Sequence, residues 1–397
     1  MTERSYIAPL DGIRGLAILL VLGHQGAFAS AIDGNLVLGG VLLRVLDAGW
    51  VGVQLFFVLS GFLITGILAD AKGADIGRSF KHFYLRRAVR IFPVYYVTLA
   101  VLFIAAALIT DGPDWLENTY DHKVWFLLYL NNWITPFVHE LLGHFWSLAV
   151  EEQFYLLWPL LVFTVNRKAL VWICLGLIAL SPAFRFYLTL VDVEHYKLTA
   201  YVWTPARLDA LAMGALLALA VRSGSTVFKS ARLMLALGMI AALYIAITIV
   251  TQYWFLSVAT GWPILNQSFC ALLFVVLIYF CLDLKGNQNP LTAMLKSALS
   301  GQVIRSIGKY SYAIYVFHLP VSLLLRAHVH PYIEPHVGNF SISGISLLFV
   351  VEAGLLLAVT YLLARISWML VEKPCLALKH RWPMTEQRPA MPAGVPA

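Results

Sequence analysis

The sequence predicts an all-α protein, a polytopic membrane bundle of about ten transmembrane helices. Three observations carry this. Of 397 residues, 60% are hydrophobic and only 12% charged, with a mean hydropathy of +0.78. A water-soluble domain cannot hide that much apolar surface. Apolar runs of membrane length recur about ten times along the chain. Lys and Arg also gather in alternate connections, as the positive-inside rule requires of a multi-pass chain. In such a chain the formal charge of +7 reflects topology and excludes a nucleic-acid partner.

The first run, near 15–29, follows Asp11 and Arg14. Its Ala27-Phe28-Ala29 resembles a signal-peptidase site, but no basic cluster precedes it, so the run reads as an uncleaved first span. Further runs lie near 50–68, 91–109, 145–165, 169–180, 208–221, 233–250, 262–282, 311–325 and 345–370. Residues 124–130 are too few to span and read as an interfacial segment. Basic connections carry Lys72, Arg78, Lys81, Arg86, Arg87 and Arg90; Arg167 and Lys168; Arg222, Lys229 and Arg232; Lys285, Lys296, Arg305 and Lys309; and Lys373, Lys379, Arg381 and Arg388. The connection with Asp111, Asp114, Glu117, Asp121 and Glu140 is acidic. Both termini are therefore expected in the cytoplasm. Residues 1–376 read as one transmembrane domain and the Pro-rich 377–397 as a disordered cytoplasmic tail. Cys174, Cys270, Cys281 and Cys375 show no metal or redox spacing.

Ionisable groups at membrane depth are costly and mark function. Asp11 and Arg14 stand at the mouth of the first run and His24 deep within it. Arg86, Arg87 and Arg90 are three and four residues apart, a helical spacing that suits either a phosphate fork or simple topology charge. Ser60-Gly61 is a small-residue notch for close helix or ligand approach. His144, Ser147 and Glu151 share one helix face, and Glu151-Glu152 precede an apolar run. Arg207 either pairs with Glu151 or binds a hydroxyl, while Asp209 lies on another face. His318 lies roughly 15 Å along its helix from Gly308. His328, His330, Glu334 and His336 match no standard metal-site spacing, so no metal is expected.

Several of these stretches resemble the acyltransferase-3 family of integral-membrane acyltransferases. Leu10-Asp11-Gly12-Ile13-Arg14-Gly15-Leu16-Ala17 with His24 is similar to the family's opening. Phe56-Phe57-Val58-Leu59-Ser60-Gly61-Phe62-Leu63 is highly specific to it. The R-R-x-x-R-I-x-P-x-Y pattern from Arg86 resembles its second signature, assigned there to the acyl-CoA donor. Trp146 to Tyr155, Gly308 to His318 and Glu372-Lys373-Pro374 complete the match, the last as a structural clasp. Two departures stand out. Gln54 replaces the usual acid, and nine residues rather than ten separate Arg14 from His24. Ten helical steps leave those two side chains about 80° apart, so either the helix is irregular or they occupy different faces.

The resemblance implies O-acyl transfer, with acetyl the expected group, from cytoplasmic acyl-CoA to a carbohydrate hydroxyl of an exopolysaccharide, O-antigen or lipid-linked glycan. No cofactor beyond the donor is implied. It assigns the donor to Arg86, Arg87 and Arg90; catalysis is expected at His24, Arg14 and Glu151, and the acceptor side at His144, Ser147, Arg207 and His318. The place implied is a bacterial inner (cell) membrane. Acylation of a small molecule such as a macrolide, and transport or flipping of a lipid-linked sugar, are the rival readings.

Overall fold

The chain is represented by a computed structural model describing residues 7–27, 48–72, 75–109, 114–135, 141–191, 195–223, 230–254, 264–282, 289–337, 341–342 and 345–378. Ala27-Phe28-Ala29 beyond Ala27, Asp111, Glu140, Lys229, Lys285 and residues 379–397 of the expected tail lie outside them. The described residues are helical apart from one antiparallel pair, Ser341–Ile342 with Ile345–Ser346. Ten helices have fifteen residues or more, and each overlies one of the apolar runs. They are α1 (Ala8–Ala27), α2 (Val51–Ala71), α3 (Ile76–Leu108), α4 (Trp146–Thr164), α5 (Arg167–Val191), α6 (Leu208–Arg222), α7 (Ala231–Trp254), α8 (Asn266–Cys281), α9 (Gln302–His328) and α10 (Leu347–Ser367). Among the described residues, α2, α3, α5 and α10 with its continuation to Ala377 are long and apolar enough to cross a membrane. A fifth span forms if α9 and the helix bent 60° from it count as one.

Several helices outrun their apolar runs. Asp75 caps α3, its side chain accepting from the Arg78 backbone N–H at 3.2 Å. Arg78, Lys81, Arg86, Arg87 and Arg90 thereby fall inside one 33-residue helix rather than in a connection. At about 1.5 Å per residue, α3 is roughly 50 Å long, well beyond an apolar core of about 30 Å. The extension of α5 past 180 carries Arg185 into the bundle.

α2 is the central helix: 72% of its apolar window is buried, against 22% for α3 and for α5. It packs on α1, α4, α6 and α8. The outer helices present Val97, Val101 and Ile104 or Trp172, Leu180 and Leu190 on their exposed faces, an exterior suited to lipid. Small residues let the inner helices touch backbone to backbone. A Cβ on Gly61 of α2 would run into the Leu211 carbonyl of α6, and one on Gly214 into the Val58 carbonyl of α2. The Ser60-Gly61 notch thus receives α6 on its glycine side.

Residues that read as topology charge also close helix ends. Lys72 donates to the Val162 carbonyl at 2.7 Å and to the Val165 carbonyl. Arg167 reaches the Leu219 carbonyl, and Arg222 pairs with Asp70 at 2.7 Å. The Lys72 and Arg167 contacts satisfy carbonyls that α-helices leave without internal partners.

The stretch expected at the interface packs on α3 through Phe126, while Val124, Trp125, Leu127 and Leu128 stay exposed. Helix Asp114–Asp121 lies along α3, with Phe103 and Tyr120 in edge contact. Helix Lys123–Leu127 then docks at Tyr95 and Tyr96, whose hydroxyls donate to the Phe126 and Leu127 carbonyls at 2.8 and 3.0 Å. Those tyrosines lie roughly 20 Å from the C-terminal end of α3, by helical rise.

Candidate active site

A cavity of about 890 Å3, counting its open mouth, lies between α1, α2, α3, α4 and α9. Its polar lining comes from five helices: Arg14; Ser60; Arg87 and Arg90; Ser147, Glu151, Glu152 and Tyr155; Ser311, Tyr312 and Tyr315. Phe56, Phe57, Leu59, Leu63 and Ile91 supply apolar walls. Charged groups inside an apolar bundle persist when they compensate one another, and here they do. Arg14 pairs with Asp11 at 2.5 Å. Arg87 lies over the Tyr155 ring at 4.9 Å. Glu151 accepts from the Ser60 hydroxyl at 2.8 Å and the Tyr155 hydroxyl at 3.0 Å, within electrostatic reach of Arg87 and Arg90.

Above the cavity stands a layer of imidazoles. Ser147 and Tyr315 share a hydroxyl–hydroxyl bond of 2.6 Å, and Tyr315 also donates to the His144 carbonyl at 3.0 Å. His144 and His318 are in edge contact, 4.6 Å between ring centres. His318 Nδ1 donates to the Tyr315 carbonyl at 2.5 Å. That bond fixes the tautomer, so Nε2 is the basic nitrogen of a neutral ring. His24 lies within electrostatic reach of His318 and packs against the turn at Gly49. The Ser147–Tyr315 pair, which lines the cavity, thus also touches His144 and His318.

The geometry regroups the residues singled out from the sequence. α1 is unbroken from Ala8 to Ala27, so Arg14 and His24 occupy different faces. Arg14 lines the cavity and His24 does not. Arg87 and Arg90 line it, and Arg86 does not. Glu151 and Ser147 share this cavity with the arginines, whereas His144 and His318 lie in the layer above.

Arg207 is fully buried and does not pair with Glu151. It donates to Gln54 Oε1 at 2.7 Å and is caged by Phe57, Trp146 and Tyr201, whose ring centres lie 5.0–5.4 Å away. Gln54, where the resembled family carries an acid, thus gives this guanidinium a neutral partner. Asp209 bonds Arg185 at 2.9 Å and Ser268 at 2.6 Å. Glu372 is buried on a π-helical turn, Trp368–Glu372, that packs on α3 within electrostatic reach of Arg90. Among the described residues no His, Cys, Asp or Glu group is arranged for a metal. His330 instead bridges Glu334 at 3.3 Å and Glu352 at 2.5 Å.

Sequence reasoning passed over Tyr155, Tyr312, Tyr315 and Arg185. Tyr155 was legible as the residue one turn beyond Glu151. Tyr312 and Tyr315 lie in the stretch leading to His318, but hydroxyls amid aromatic residues carry no signal of depth.

A buried constellation of Arg, Glu, Ser, Tyr and His inside an apolar helical bundle defines a membrane-embedded enzyme-like site. The acyltransferase-3 family profile, described as an acyltransferase domain, matches residues 7–367, and the chain belongs to this family. It is similar to the peptidoglycan O-acetyltransferase OatA of Listeria monocytogenes, 29% identical over 94% of this chain and 56% of the relative. It is also similar to the putative peptidoglycan O-acetyltransferase YrhL of Bacillus subtilis, 28% identical over 93% and 55%. The O-acetyltransferase OatA of Staphylococcus aureus is 25% identical over 94% and 58%. The chain thus spans little more than half the length of these relatives. No solved structure matches it significantly.

Proposed function

We propose that this protein is a membrane O-acyltransferase, moving an acetyl group from acetyl-CoA to a carbohydrate hydroxyl, with a cell-envelope glycan as acceptor. The observation that carries this reading is the axial order of the site. Guanidiniums on α1 and α3 stand at one level, and imidazoles on α1 and α9 at the next. Arg14, Arg87 and Arg90 would hold the donor's phosphates by charge-assisted bonds. His24 lies about 15 Å further along α1 than Arg14, a span that the flexible arm of a CoA thioester can bridge. There a neutral imidazole takes the acceptor hydroxyl's proton as the oxygen attacks the thioester carbon, and the CoA thiolate leaves. Glu151, bonded to Ser60 and Tyr155, orients the arginine pair. The relatives' names point to peptidoglycan as the acceptor.

Purified protein in detergent is expected to release CoA from acetyl-CoA and to label soluble peptidoglycan fragments with acetyl. A transporter or flippase would do neither, and a macrolide-type acylase would label only a small-molecule acceptor. All ten long helices are proposed to enter the membrane, with both termini cytoplasmic. A cysteine at position 114 is then expected to react with an impermeant maleimide from the outside of intact cells. Labelling only after the cytoplasm is opened would reverse the orientation and the side of each compartment.

A further inference from the structure

Arg207 stands at the start of α6 and is fully buried, yet among the described residues its guanidinium makes one hydrogen bond, to Gln54 Oε1 at 2.7 Å. Its Nε and Nη1 have no partner there. The Gln54 amide is itself fixed, because its Nε2 donates to the Gln267 carbonyl at 2.8 Å and so turns Oε1 to the guanidinium. Asp209, the carboxylate two positions on, is engaged elsewhere. It accepts from Arg185 Nη2 at 2.9 Å, from the Ser268 hydroxyl at 2.6 Å and from the Ala210 N–H at 2.9 Å. Two buried guanidiniums thus stand against one buried carboxylate, and the group keeps one positive charge. The rings of Phe57, Trp146 and Tyr201 stabilise the cation through their quadrupoles but carry no net charge to neutralise it.

The cage is shared with the cavity and with the surroundings of His24. Phe57, its ring centre 5.4 Å from the guanidinium carbon, is a wall of the cavity. Trp146, at 5.3 Å, meets Phe57 edge to face and directly precedes Ser147, another cavity residue. Tyr201, at 5.0 Å, reaches Trp50, which follows Gly49, and a Cβ on Gly49 would lie 3.0 Å from the Cβ of His24. Along the chain, the residues that meet Arg207 at 54 and 57 fall between Gly49 and Ser60, the hydroxyl bonded to Glu151. Arg207 therefore stands at the level between Glu151 and His24, one aromatic ring from the cavity. A ligand atom resting on the Phe57 ring lies within roughly 10 Å of its charge. A buried cation without a carboxylate costs stability, and such groups at membrane depth are kept where they serve function.

We propose that Arg207 is an unneutralised cation behind the aromatic wall, and that its field stabilises the negative charge developing on the thioester oxygen and the departing sulfur. The inference rests on the acyltransferase reading above. There the acceptor oxygen attacks the thioester carbon while His24 takes its proton. The carbonyl oxygen becomes negative, and the charge passes to sulfur as the C–S bond breaks. A fixed cation at this level favours both charged stages over the neutral thioester, and the dry wall screens it little. One ring stands between Arg207 and the cavity and two between it and the residues beside His24, so the gain on the anion outweighs the penalty on the imidazolium. Arg207 touches neither substrate, so it raises kcat and leaves both KM values alone. Gln54, where the resembled family carries an acid, keeps the field from being cancelled.

The test is the steady-state kinetics of transfer from acetyl-CoA to soluble peptidoglycan fragments by the full chain in detergent. Gln54→Glu sets a carboxylate against the guanidinium and cancels its charge. Its kcat is expected to fall about tenfold, the effect of one unit charge roughly 10 Å away at an effective dielectric constant of about 20, with both KM values within about twofold. Gln54→Leu loses the same amide bonds without adding charge, and its kcat is expected to fall less than about threefold. Arg207→Gln is expected to match Gln54→Glu, and Arg207→Lys, which keeps the charge, to stay within about threefold of wild type. The two pairs are independent, so a variant that fails to insert leaves the other pair to decide. Wild-type kcat in Gln54→Glu would overturn the proposal. Equal losses in Arg207→Lys and Arg207→Gln, or in Gln54→Leu and Gln54→Glu, would also overturn it, since packing and hydrogen bonding would then account for the effect. No transfer by the wild-type protein would defeat the proposed function itself. Transfer by the wild type with a kcat indifferent to charge at 54 and 207 would defeat this inference alone.

Discussion

His24→Ala is expected to lower acyl transfer about 100-fold or more at unchanged membrane abundance, because a positioned general base contributes roughly 10²- to 10⁴-fold. His24→Gln is expected not to restore it, since an amide cannot take a proton. Three imidazoles occupy the upper layer, and their surroundings separate them. His144 is 8% exposed and bonded through Nε2 to the Val316 carbonyl at 3.2 Å; His318 is 1% exposed. His24 keeps a larger part of its surface open, where donor and acceptor can meet it. Transfer by purified His24→Ala, compared with wild type at saturating acetyl-CoA, decides the point. Turnover within threefold of wild type would move the base to His318, whose Nε2 is already held in the acceptor state by its Nδ1 bond.

The helices were legible because membrane length and hydropathy are local properties. Each apolar run became a helix, and the notch at Ser60-Gly61 became a contact with α6 because a missing Cβ is visible in the sequence itself. Helix ends were less legible. Asp75 starts α3 fifteen residues before the run at 91, because a capped, Arg-rich segment continues a helix without being apolar.

The site was half legible for the same reason. Residue types that are costly in lipid announce themselves, so Arg14, Arg87, Arg90, Ser147 and Glu151 were named and do line one cavity. Their partners did not announce themselves. Nothing local says that Arg207 meets Gln54 across 153 positions of sequence, or that Asp209 is matched by Arg185. Residues 124–130 read as interfacial because their length forbids a span; the tyrosines that hold them, Tyr95 and Tyr96, lie on another helix and could not be named from the segment itself.

Arg90→Ala is expected to raise the KM for acetyl-CoA about 10- to 100-fold, the range for one charge-assisted bond to a phosphate. Arg90→Lys is expected to fall between the two, because an ammonium keeps the charge but loses the planar fork. Arg90 is exposed while lining the cavity, so its guanidinium is open to a ligand. It also lies within reach of Arg14, Arg87, Asp11 and Glu372. Two neighbouring guanidiniums disfavour the empty site, and the carboxylates hold it together until a polyanion arrives. A donor carrying several phosphates relieves that repulsion, so the loss is expected to be larger for acetyl-CoA than for a truncated acetyl-pantetheine thioester. Arg86→Ala is the internal control. It is one residue from Arg87 but outside the cavity, and its donor KM is expected to change less than twofold. Equal losses at Arg86 and Arg90 would show that the cluster acts as diffuse charge at the membrane surface, and the cavity would then no longer be the donor's binding site.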